Sequence, residues 1–144
     1  MNWRNRQNRF GAIDDFALLT LSDTPPTEDN LKRVAAEIYG ALAGLGYNPL
    51  APCAVEGLHM ATFEIEDSYI TVGLSKDEET IWCLHVQMRD VGFFVGTRDR
   101  RLAVVDRLNL HLHEALVARA DLEGIEWFQE RKLVPKHGTA RPMS

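Results

Sequence analysis

The sequence predicts an α+β domain: an antiparallel sheet of three to five strands, packed on one face by two amphipathic helices. Three observations carry that expectation. Apolar residues recur at helical spacing after Thr27, they alternate with polar ones from residue 53 to 89, and helical spacing returns between about Asp99 and Ala120. With 144 residues the chain suits a single domain able to bury its own core.

The elements follow in order. "FALLTLS", Phe16 to Ser22, is a short apolar run between Asp14-Asp15 and Asp23-Thr24-Pro25-Pro26. It fits a buried strand or a helical turn, and the strand is the preferred reading. Thr27 is a good N-cap, and Glu28 and Asp29 favour the positive end of a helix dipole. Leu31, Val34, Ile38, Ala41, Leu42 and Leu45 then form one stripe, with Gly46 suited to the C′ position and Pro49 blocking continuation. Gly40 and Gly44 weaken this helix and would permit close packing. Cys53 is expected in a Pro-flanked loop.

Three strands follow as a meander. Ala61, Phe63 and Ile65 face one way, and Met60, Thr62, Glu64 and Glu66 the other. Ile70, Val72 and Leu74 oppose Tyr69, Thr71 and Gly73; Trp82, Leu84, Val86 and Met88 oppose Ile81, Cys83, His85 and Gln87. One face belongs to the core and the other is expected to be wet. "VGFFVG" reads as a fourth short strand or a connector. Thr97 or Asp99 caps the second helix. Gly124 to Leu133, with Trp127 and Phe128, docks as a strand or a short helix, and residues from Pro135 onward fray.

Charge is unevenly spread. Arg4, Arg6 and Arg9 in residues 1–9, and Arg131, Lys132, Lys136 and Arg141 in residues 131–144, take seven of the 16 basic residues. Nine remain in the body against all 21 acidic ones. An acidic body between flexible basic termini, about 1–9 and 135–144, argues against nucleic acid on the fold itself, leaving only the termini for such contact. It suits a basic protein partner. No apolar run reaches membrane-spanning length and no secretion signal is legible. Two cysteines, not in a Cys-x-x-Cys pair, point to reduced thiols and a cytoplasmic location.

Motif-borne chemistry is sparse. In "LNLHLHEAL" each residue of a helix turns about 100°, so His111 and His113 point about 160° apart and cannot share a metal ion. Helical metal pairs need four-residue spacing. Both histidines are expected at exposed or boundary positions. Val104, Val105, Leu108, Leu112, Ala115 and Leu116 form the core stripe, while Leu110, His113 and Val117 form a second, weaker one. That stripe faces either a partner, or the N-terminal segment or the tail containing Trp127. Cys83 and His85 share a strand face, the alternative reading being a small enzyme or metal protein built on them, with His59 a further candidate on the opposite face. No Gly-rich phosphate loop and no nucleophile elbow occurs. No cofactor, metal or catalytic residue is assigned. The expected partner-binding residues are Glu64, Glu66, Tyr69, Thr71, His85 and Gln87 on the sheet, with Leu110 and His113 on the second helix.

The stretches "LKRVAAEIYGALAGLGYNPL" and "FEIEDSYITVGLSKDEETIWCLHVQM" give the order helix, three-strand meander, helix on a small acidic chain. In this pattern the chain resembles the type III secretion chaperone fold, which implies a dimer that holds a partner protein without catalysis. The pattern departs from that fold after Ala120, where only "GIEWFQERKL" remains, and no residue roles carry over. Small acidic immunity proteins, which cap basic nuclease toxins, are similar in size and charge.

Overall fold

The computed structural model describes residues 13–50, 53–55, 57–66, 68–88, 98–129 and 138–142. The chain runs β1 (Ile13–Leu21), α1 (Glu28–Gly44), β2 (Cys53–Val55), β3 (Leu58–Ile65), β4 (Ser68–Glu78), β5 (Ile81–Met88), α2 (Arg98–Val117) and β6 (Leu122–Phe128). The fold is α+β as expected, but the antiparallel sheet has six strands rather than three to five, in the order β2-β3-β4-β5-β1-β6. The additional strands lie at the sheet's margins: β2 at Cys53, where a loop was expected, and β6 in the Trp127 segment. "VGFFVG", Thr97, residues 1–9 and the basic residues at 131, 132 and 136 lie outside the described residues.

The Phe16–Ser22 run is a strand as far as Leu21, and an interior one. β1 alternates strictly between buried and half-buried residues because it lies between β5 and β6. Its place beyond β5 leaves the β3–β4–β5 meander in sequence order. The β3–β4 turn uses Glu66 at φ 48°, and the β4–β5 hairpin turns at Glu79 and Thr80 after a bulge near Asp77.

α1 begins as its sequence dictates. The Thr27 hydroxyl accepts from the Asn30 N–H at 3.3 Å, with Glu28 and Asp29 in the first turn. It ends in a Schellman arrangement: the Tyr47 N–H reaches Leu42 C=O at 3.1 Å, and the Gly46 N–H reaches Ala43 C=O at 3.0 Å. Gly46 adopts φ 96°, which a side chain disfavours. The buried face comprises Leu31, Val34, Ala35, Ile38, Tyr39 and Leu42, so Ala41 and Leu45 of the expected stripe are exposed instead. Gly40 and Gly44 face open space and serve no close packing.

Both helices cover one sheet face, and a single apolar cluster joins them to all strands except the exposed β2. α1 lies over β3 and β4, where the Tyr39 hydroxyl sits 3.2 Å from His59 C=O and 3.1 Å from Val72 C=O. Burial pushes the Tyr39 phenol pKa up. α2 buries Val104, Val105, Leu108, Asn109, Leu112, His113 and Leu116. Two of these seven are polar and each finds a strand partner. The Asn109 amide donates to the Asp15 carboxylate of β1 at 2.9 Å, and His113 accepts from the Trp127 indole of β6 at 3.0 Å. Burying an amide or imidazole is tolerable because its hydrogen bond is retained.

Candidate interaction site on the outer sheet face

The strand register assigns every described strand residue to a face. Rows of directly paired residues cross the sheet on the side away from the helices. One row runs Cys53, Met60, Gly73, His85, Phe16, Phe128; a second runs Val55, Leu58, Ser75, Cys83, Leu18, Glu126. A third runs Thr62, Thr71, Gln87, Asp14, and Glu64 pairs with Tyr69 beyond it. The alternation expected for the meander holds at every one of these positions.

Exposure on this face does not follow the expectation of a uniformly wet surface. At its centre Gly73, Cys83 and His85 are buried, His85 to 2 % exposure. A Cβ on Gly73 would lie 2.3 Å from His85 Cε1, so the imidazole occupies space that only glycine leaves open. On the β1–β6 side the Phe16 and Phe128 rings stack with centroids 4.8 Å apart.

The β2–β3–β4 side is different. Tyr69 (45 %), Val55 (53 %) and Leu50 (47 %) are three of the five exposed large hydrophobic residues among those described. Leu50 is held against β3 by its N–H, which donates to Thr62 C=O at 2.8 Å. Glu64 is exposed opposite Tyr69, and the Thr62 and Thr71 hydroxyls lie 3.2 Å apart. From Val34 to Ser75 the sequence contains no Lys or Arg. Among the described residues no outer-facing strand position carries Lys or Arg, whereas Glu64 and Glu126 are exposed acids.

The sequence-expected contact residues therefore divide. Glu64, Tyr69, Thr71 and Gln87 fall together on the accessible corner, Gln87 and Thr71 half-buried. His85 adjoins them in register but is recessed. Glu66 turns toward the helical layer, where its carboxylate accepts from Arg107 of α2 at 3.0 Å. Leu110 and His113 lie on α2, across the sheet from the corner. His113 is buried at 4 % exposure, correcting the expectation of an exposed or boundary ring, and its stripe meets the Trp127 segment. His111 is half-buried and bonds through Nδ1 to the Tyr47 hydroxyl at 2.7 Å. The two rings of "LNLHLHEAL" thus bind α2 to different elements, one to the segment after α1 and one to β6. Leu50 and Val55 escaped the sequence reading because they lie in a Pro-interrupted stretch without a clear period; the long interval without cations was the available signal.

Cys83 and His85 do share a face, and both are buried. His59 lies on the opposite face in register with Leu74, its Nε2 3.6 Å from a Glu28 carboxylate oxygen. Glu28 also accepts from the Gly57 N–H at 2.5 Å, closing the β2–β3 turn onto α1. Among the described residues no three His, Cys, Asp or Glu side chains are grouped to hold a metal ion. No described helix is long and apolar enough to cross a membrane. Comparison of the chain with protein-family models, with curated proteins and with solved structures finds no match.

Proposed function

We propose that the chain is a non-enzymatic protein-binding module, chaperone-like or immunity-like in role, that docks a basic partner on the β2–β3–β4 side of its outer sheet face. The observation that carries this reading is the exposed Tyr69 beside exposed Glu64, with exposed Leu50 bonded to β3 at Thr62 and no Lys or Arg from Val34 to Ser75. An accessible aromatic supplies contact area at small entropic cost. The Glu64 carboxylate selects a cationic partner and speeds encounter. A partner with an apolar stripe flanked by Lys or Arg satisfies both features.

The test uses two synthetic peptides of identical apolar pattern, one carrying lysines and the other glutamates. The lysine peptide is expected to shift the amide NMR signals of Glu64, Tyr69, Thr71 and Gln87, and to bind more weakly as salt rises. Tyr69→Ala and Glu64→Lys should each lower its affinity about tenfold or more, on the scale of an interface anchor, without lowering the melting temperature. Equal binding of both peptides, or shifts confined to the helical layer, would reject the assignment. Glu64 is the cleaner charge probe, because reversing Glu66 also breaks its pair with Arg107.

A further inference from the structure

His113 stands where three parts of the chain meet, and its hydrogen bond fixes its protonation. An indole N–H only donates, so His113 Nδ1, 3.0 Å from Trp127 Nε1, must carry a lone pair. The ring is neutral, with its proton on Nε2. Trp127 in turn anchors the chain beyond β6. Its backbone N–H donates to Thr139 C=O at 2.7 Å and its C=O accepts from the Thr139 N–H at 2.9 Å. The Thr139 hydroxyl donates to Arg141 C=O at 2.8 Å. Gly138 fits so closely that a Cβ there would lie 2.6 Å from Glu126 Oε2 and 2.9 Å from Phe128 Cζ. Residues 138–142 thus strap the edge of β6, whose other side pairs with β1.

We propose that the His113–Trp127 hydrogen bond is an acid-sensitive latch, and that protonating His113 releases β6 and the 138–142 strap while the β3–β4–β5 meander stays folded. A protonated ring would point Nδ1–H at the indole N–H, turning an attraction into a donor–donor clash inside the core. Burial opposes the charge, and Arg141 on the strap opposes it further; Glu114 on α2 offsets part of this. On β1 the core-facing acid is Asp15, which accepts from Asn109, one helical turn before His113. The latch therefore holds at neutral pH. When it opens, it uncovers a strand edge able to pair with another chain.

Hydrogen exchange followed by NMR on the full chain tests this. Below the ordinary histidine range, protection of the Leu122–Phe128 and Thr139 amides should fall about tenfold per pH unit, the slope of one linked proton. Amides of β3, β4 and β5 should keep their protection over the same range. His113→Asn keeps an acceptor near Nδ1 but cannot titrate, and should flatten the response. Arg141→Gln, at an exposed position, should move the midpoint to higher pH by removing the neighbouring cation. An unmoved midpoint in Arg141→Gln, the same acid response in His113→Asn, or simultaneous loss of protection throughout the sheet would overturn the proposal.

Discussion

Gly73 has no side chain because His85 of the adjacent strand occupies the space a Cβ would take. Alanine there must displace a buried ring, and overpacking of this kind costs about 1–3 kcal/mol. Urea denaturation of Gly73→Ala should show that loss, and the loss should shrink in a His85→Ala background, where the space is free. Equal costs in the two backgrounds would mean that the ring is not the obstacle. At this scale the sequence was informative about direction and poor about depth. Alternation correctly placed His85 and Cys83 away from the helices, yet parity alone cannot tell a covered face from a wet one. Asn109 and His113 raise the same difficulty on α2: polar side chains look like surface until their buried partners, Asp15 and Trp127, are known. Gly73 was the residue that could have signalled burial, because a glycine inside a regular strand marks a close approach.

Elements whose signals are local were the most legible. Thr27 and Gly46 bound α1 through interactions within a few residues, so the chemistry of each terminus could be read directly. The partners of β1 were not legible, because pairing with β5 and β6 joins segments far apart in the chain and no turn connects them. The β2 strand was missed for a related reason: three residues are too few to display a period. The two kinds of glycine in this region should behave oppositely. Gly40 lies inside the helix, exposed and facing open space, so Gly40→Ala should stabilise by about 0.5–1 kcal/mol. Gly46 at φ 96° should lose about 1 kcal/mol or more on the same substitution. Thermal unfolding of the two variants gives the check: melting temperatures moving in the same direction would contradict the backbone argument.

For the whole molecule, neutral-pH stability rests partly on two groups that respond to acid in separate ranges. Burial, reinforced by Arg141, lowers the His113 pKa from the ordinary histidine value. The unfolded chain therefore takes up this proton at a higher pH than the folded one, and stability declines as pH falls below about 6.5. The second group is Asp121. Its two carboxylate oxygens accept from Arg119 at 2.8 and 3.1 Å, and Arg119 also reaches Glu37 of α1. The Asp121 C=O accepts from the Ser22 N–H at 2.6 Å, so this clasp joins both helices to the end of β1. Hydrogen bonding to Arg119 lowers the Asp121 pKa, so its contribution is complete above the ordinary carboxylate range and is lost as pH falls through the depressed folded value. Urea midpoints measured against pH should fall in two stages, the first in the histidine range and the second in the carboxylate range. His113→Asn should reduce the first slope and leave the second. Arg119→Gln should reduce the second and leave the first, because the clasp and the latch share no residue. If either substitution altered both slopes equally, the two groups would be acting as one coupled network, and the assignment of each stage to its own residue would fail.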